Sequence, residues 1–310
     1  MDVIIPAPLK RNDLIAIVPT ARAIVAAELA EGIALAESWG LRVRLGSGVG
    51  RKHFQQAGTD AERAADLQAA IDDPEVRAIW CARGGYGTIR LMDKVDLGPL
   101  RRDAKWVVGF SDVTVLHNAL HTMGIATLHA QMPFMIGSKT EACRTTLRSA
   151  LFGTGSDILI DPAEVKSASS VRPGIARGVL VGGNLSMLCS MRGTTFDIDP
   201  AGKILFLEDL DELLYHVDRM VQNLKYGNWF RGLAGLVVGG MSDMRDKNPS
   251  DPFGSTAEAM LQEALAGTDH PFCTGFPAGH IDDNRALPLG MPVELEVSAQ
   301  RIALRYPTGV

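Results

Sequence analysis

Short apolar runs alternate with longer amphipathic stretches through the first half of the chain. The runs 14–18, 42–45, 78–81 and 106–110 read as strands, and the helical patterns over 21–39, 60–71 and 113–122 fall between or after them. Strand and helix taking turns predict right-handed crossovers and a parallel sheet covered by helices on both faces. From 153 to 173 the composition turns to Ser, Asp, Gly and Pro with little periodicity, which predicts a surface linker. Beyond it come apolar runs at 178–183, 204–207 and 233–238, helical patterns at 211–224 and 255–265, and a terminal strand pair at 293–297 and 301–306. The predicted class is α/β: a parallel-sheet domain over 1–152, a linker over 153–173, and a smaller mixed β/α domain over 174–310.

A hydrophobic content of 46% over 310 residues is ample for two packed cores. The net charge of −5 is spread along the chain rather than blocked, so there is no electrostatic footprint for nucleic acid or an anionic membrane, and a small soluble substrate is the expected partner. The first ten residues hold two prolines and an aspartate, unlike a signal peptide, and no apolar run approaches the roughly 20 residues of a spanning helix. A cytoplasmic location follows as the expectation. Cys81, Cys143, Cys189 and Cys273 form no C-x-x-C pair and read as structural thiols. Neither a metal nor a cofactor is expected.

In parallel sheets, ligands sit at the carboxyl ends of strands. After the run 106–110 the sequence continues S-D-V-T, so Ser111 falls on a sharp strand-to-helix turn that would lift its hydroxyl above the sheet, with the N–H of Asp112 aimed at whatever the serine attacks. A serine there can equally be a helix N-cap. R-G-G-Y-G at 83–87 follows the strand 78–81 onto the same edge; its glycines allow close backbone approach, and the N–H of Gly85 could complete an oxyanion hole with that of Asp112. A phosphate loop lacks its Lys and Ser/Thr spacing there, while a simple tight turn remains open. Gly84 and Tyr86 of this loop, and Asn184 further on, are candidate substrate contacts.

A nucleophilic serine needs a base and the base an orienting carboxylate. His280 lies in the Gly-flanked loop A-G-H-I-D-D-N; Glu208 ends the apolar run I-L-F-L-E-D, whose Asp209, with Glu212, reads as N-terminal charge of the helix that follows. His117 and His121 share a helix face with His129 further on, but Asn118 breaks any H-E-x-x-H, so packing and capping compete with metal binding there.

Together these segments resemble the LD-carboxypeptidase family of murein tetrapeptide carboxypeptidases and microcin C immunity peptidases. The likeness rests on R-G-G-Y-G at 83–87, G-x-S-D-x-T at 109–114, G-G-N at 182–184, L-E-D-x-x-E followed by Y-x-x-D-R ending at Arg219, and G-H with L-P-L-G at 287–290. It departs at His129, Ala130 and Gln131, where the family commonly has H-G-P, and at Leu214, which replaces a usual proline. The resemblance implies a Rossmann-like first domain carrying Ser111, a swivelling second domain carrying Glu208 and His280, oxyanion donors at Gly85 and Asp112, and a homodimer. It implies hydrolysis of an L,D-peptide bond, releasing D-alanine from murein tetrapeptides during cell-wall recycling. An amidase of peptidyl or aminoacyl nucleotides is the alternative within that chemistry, for which Trp229 is a loop aromatic. A non-enzymatic two-domain ligand-binding protein is the alternative outside it.

Overall fold

The computed structural model describes residues 3–160 and 171–307. Along the chain run β1 (Leu14–Val18), α1 (Ala30–Ser38), β2 (Arg42–Leu45), α2 (Asp60–Asp72), β3 (Val76–Cys81), β4 (Trp106–Gly109), α3 (Thr114–Thr122), β5 (Thr127–His129) and α4 (Glu141–Phe152). There follow β6 (Ile158–Ile160), β7 (Val171–Arg172), β8 (Gly174–Asn184), α5 (Leu185–Met191), β9 (Ile204–Leu210), α6 (Leu214–Tyr226), β10 (Gly235–Ser242), α7 (Ala257–Ala264), β11 (Phe272–Cys273), β12 (Leu287–Leu289), β13 (Pro292–Val297) and β14 (Ile302–Arg305). These make an α/β fold of two compact units.

The first unit takes the described residues up to Ser156 together with Asp282–Gly290. Its six-stranded sheet has the order β12-β5-β4-β3-β1-β2, parallel throughout except for β12, which runs antiparallel to β5. β1 is buried at every position, as a central strand covered on both faces should be, whereas β2 alternates and turns two arginines outward at the sheet edge. One cluster, including Leu14, Val18, Leu67, Ile79, Val107, Val113 and Leu116, packs helices on the sheet. The chain reverses its direction of strand addition at β1, so the carboxyl ends of β1 and β3 form a switch-point crevice.

The second unit takes Asp157–Ile281 and the described residues from Met291 onward. Its eight-stranded sheet has the order β6-β14-β13-β8-β9-β10-β11-β7. β8 is shared between two pairings, antiparallel to β13 through its first half and parallel to β9 through its second. β9 is buried along six of its seven residues and carries Glu208 near its carboxyl end.

Three expectations change. The stretch 153–173 includes strands β6 and β7, since apolar Ile158 and Ile160 find burial against β14; the part at 161–170 lies outside the described residues. Residues 282–290 return to the first unit because β12 pairs with β5 and Asn284 donates to Gln131 Oε1 at 3.3 Å. The helical pattern at 21–39 forms a 3₁₀ turn and α1 only from Ala26 onward, the segment before it bridging instead to 55–56 through Arg22 and the Ala23 N–H.

Candidate active site

β4 ends at Gly109, Phe110 is extended, and Ser111 opens a 3₁₀ turn into α3 with φ +64. A left-handed serine between strand and helix is sterically strained, and such strain persists only where surrounding structure enforces it. Neither helix start records a side-chain cap hydrogen bond, Phe110 and Val113 being the cap residues, so the N-cap reading of Ser111 does not hold. The side chain is part-exposed. Gly84 lies against it: a β-carbon there would stand 3.2 Å from both Ser111 Cβ and Oγ.

The R-G-G-Y-G loop is held by side chains that sequence reasoning did not single out. Asp112 is 2% exposed and its Oδ2 accepts the Thr88 N–H at 2.8 Å, tying the serine turn to the end of the loop. Burial pushes its carboxyl up, against the hydrogen bonds it accepts from Thr88. Arg63, wholly buried on α2, donates to the carbonyls of Thr20 and Gly87 and at 2.6 Å to Asp60. Thr88 Oγ1 donates to Thr20 Oγ1 at 3.0 Å. Gly85 holds φ +113 with its backbone exposed, and a β-carbon there would collide with the Arg22 side chain. The pattern cue for Arg63 was its place four residues before Leu67, on the apolar face of α2.

In the second unit, Glu208 is fully buried and His280 part-exposed. Glu208 Oε2 lies 2.6 Å from His280 Nδ1 and also accepts the His280 backbone N–H at 3.2 Å. The Ser242 hydroxyl donates to the His280 carbonyl at 2.8 Å, so the imidazole is fixed from both sides of its backbone. With the Nδ1 proton directed at a carboxylate, Nε2 is the basic nitrogen.

Asp209 does not serve α6. It sits in β9, 2% exposed, and accepts N–H groups of Leu210, of Ser186 in the first turn of α5, and of the Asn184 side chain at 2.8 Å. The parallel register that sets Asn184 opposite Glu208 brings α5, not the following helix, to this acid. Burial foremost and the Glu208 charge next push it up to about 7, although its three donors favour the ionised form. Asn184 Oδ1 meanwhile caps α5 by accepting the Met187 N–H at 3.1 Å. The expected substrate contact is thus an amide committed at both ends to holding the strand end and α5.

Other sequence candidates settle into the scaffold. His117 Nε2 donates to the Gly109 carbonyl, 2.9 Å away, with the His129 ring 6.2 Å off, and burial followed by the His129 neighbour lowers it to about 3. Gln131 is buried, its backbone carbonyl accepting from Trp80 Nε1 and its Nε2 donating to the Phe134 carbonyl. Leu214 opens α6 with an N–H bonded to the Arg245 carbonyl at 3.0 Å, a bond proline could not make. Trp229 is 4% exposed beneath the Arg192 guanidinium. The cysteines are free, and burial holds their thiols at about 11 to 12. Among the described residues no helix is long and apolar enough to cross a membrane.

A serine on a strained strand-to-helix turn in one α/β unit, with a buried carboxylate–imidazole pair in the other, is the equipment of a serine hydrolase. Residues 15–130 match the LD-carboxypeptidase N-terminal domain and residues 177–295 the LD-carboxypeptidase C-terminal domain, and the chain belongs to that family of serine-type carboxypeptidases. It is 34% identical over 293 residues to the "Probable murein peptide carboxypeptidase" of Bacillus subtilis, spanning 92% of this chain and 89% of that protein. The muramoyltetrapeptide carboxypeptidase from Oxalobacter formigenes is similar in structure with a TM-score of 0.82 and 29% identity, covering 95% of this chain and all of that one. The microcin C7 self immunity protein MccF shares the fold, with a TM-score of 0.86 at 19% identity, over 98% of this chain and 99% of that one.

Proposed function

We propose that this LD-carboxypeptidase hydrolyses the L,D-peptide bond before the terminal D-alanine of murein tetrapeptides, with Ser111 as nucleophile, His280 as general base and acid, and Glu208 as the carboxylate that orients it. The observation that carries the reading is the 2.6 Å contact between Glu208 Oε2 and His280 Nδ1. A buried acid on Nδ1 fixes the tautomer that leaves Nε2 to take a proton, and stabilises the imidazolium that results.

Ser111 Oγ adds to the amide carbonyl as its proton passes to His280 Nε2. The oxyanion is met by the backbone N–H groups of Gly85 and Asp112, donors typically worth on the order of 3 kcal/mol each in the transition state. Collapse breaks the C–N bond, and D-alanine leaves with the proton from His280. Water then gives a proton to the imidazole, attacks the acyl-serine and regenerates Ser111. The reading requires that the two units bring Ser111 and His280 within hydrogen-bond reach, roughly 2.6 to 3.2 Å, in the working enzyme.

Support for a murein substrate comes from relatives at 34% and 29% identity whose names carry that activity. The nucleotide-amidase reading would want an aromatic platform, and Trp229 is sealed beneath Arg192. The test is D-alanine release from a muropeptide tetrapeptide by the wild type and by Ser111→Ala, His280→Ala and Glu208→Ala. Activity lost in all three is the expected result; release from Ser111→Ala at the wild-type rate would end the proposal.

A further inference from the structure

The loop that carries Gly84 past Ser111 turns next into Tyr86, and Tyr86 walls a pocket of about 430 Å³ that lies wholly within the first unit. Resting on the murein reading above, we propose that this pocket is a sugar subsite, which takes the N-acetylated amino sugar carried at the far end of a muropeptide.

Two aromatic side chains stand open around it, Tyr86 at 48% and Phe54 at 83% exposure. Apolar faces left in water around a concavity are the mark of a binding surface. Phe54 is also strained: it holds φ +52 at the tip of a tight turn closed by reciprocal bonds between His53 and Gln56 at 2.8 and 3.0 Å. Glycine or asparagine would sit there at lower cost. The His53 ring packs edge-on to it at 4.8 Å and fixes its direction.

The polar lining sets the ligand class. Gln55 contributes an amide, the Thr59 hydroxyl donates to Glu62 at 3.0 Å and keeps acceptor capacity, and Arg90 is held on Asp60 through three contacts of 2.7 to 3.0 Å, so the cation lining the pocket already faces a carboxylate. A phosphate or free carboxylate would call for an uncompensated cation. Flat aromatic faces beside neutral donors and acceptors instead match a pyranose ring, with its apolar C–H face and its rim of hydroxyl and acetamido groups.

Distance agrees. Tyr86 lies two positions beyond Gly84, a span of at most about 7 Å, and the tyrosine ring extends beyond that. In a tetrapeptide, three residues lie between the sugar and the terminal D-alanine, about 10 Å when extended. A substrate with its last amide at Ser111 can therefore reach this pocket with its sugar.

The test compares kcat/KM for N-acetylmuramoyl-tetrapeptide and for the free tetrapeptide in wild type, Phe54→Gly and Phe54→Tyr. Wild type should prefer the sugar-linked substrate, Phe54→Gly should lose about tenfold of that preference, and Phe54→Tyr should keep it. Glycine relieves the backbone strain, so the variant should melt no lower than wild type. An unchanged preference in Phe54→Gly overturns the proposal. A second arm needs no turnover: saturation-transfer NMR of N-acetylmuramic acid should show transfer from wild type and none from Phe54→Gly, and equal signals would overturn it. Wild type that releases D-alanine from neither substrate would count against the murein reading, while the NMR arm still decides the pocket.

Discussion

Gly279 and Glu208 fill one space: a β-carbon on Gly279 would stand 2.7 Å from Glu208 Cβ and 2.8 Å from its Oε2, and Gly279 holds φ +101. This close approach is what lets one carboxylate oxygen receive both the backbone N–H and Nδ1 of the next residue, His280. Gly279→Ala should therefore lower kcat about 100-fold or more and reduce Tm, because strain and collision fall on the same pair. Glu208→Gln keeps the shape but exchanges an anionic acceptor for an amide, and kcat should fall by about 10³ to 10⁴. Steady-state assay of D-alanine release with thermal denaturation checks both; full activity in Gly279→Ala would show that the pair is not needed.

Ser111 is held at φ +64, a conformation that glycine adopts freely. Ser111→Gly should abolish turnover and raise stability by about 1 kcal/mol, whereas Ser111→Ala abolishes turnover with the strain retained. Urea denaturation of the three proteins reads the difference. Equal stability of the glycine and alanine variants would show that the turn stores no strain.

What the sequence disclosed and what it hid divide along a physical line. The turn at Ser111 was legible because an all-apolar strand run passes within two residues into a helical pattern, and Glu208 because its apolar run ends in acid. Asp209 was misplaced onto the next helix, since only the β8–β9 register brings α5 to it. The return of 282–290 to the first unit was hidden because β12 is a three-residue edge strand with Pro288 at its centre, too short and too proline-marked to read as a strand. Arg63 was hidden by its charge, which on a helix reads as a solvated face.

That arginine supports the next expectation. Arg63 joins the carbonyls after β1 and within the R-G-G-Y-G loop to Asp60 on its own helix, with no part of its side chain in water. Arg63→Leu takes a charged donor from the Thr20 and Gly87 carbonyls and from Asp60, the last two keeping their bonds from Arg90, and should cost about 3 kcal/mol or more. It should also depress kcat by loosening the loop that passes Ser111. Arg63→Lys should rescue little, because a point charge cannot span the fork of acceptors that a guanidinium does. Chemical denaturation and assay of both variants check this, and wild-type stability in Arg63→Lys would refute it.

The last expectation concerns pH, where two buried groups pull in opposite senses. His117 is lowered to about 3 in the fold from an ordinary value near 6.5, so between those values the unfolded chain binds a proton the native state does not, and stability falls as pH falls. Asp209 is raised to about 7 from about 3.8, so across its window the native state holds a proton the unfolded chain has lost, and stability falls as pH rises. From about pH 4 to 6.5 the two slopes oppose, each at most about 1.4 kcal/mol per pH unit. His117→Phe deletes one of them. Its stability, measured by urea denaturation at several values across that window, should decline with rising pH relative to wild type, superimposed on a constant loss from the Gly109 carbonyl, which keeps the Ala130 N–H but loses its second donor. Parallel curves for variant and wild type would mean that His117 takes up its proton equally in both states, and that burial does not keep its ring neutral.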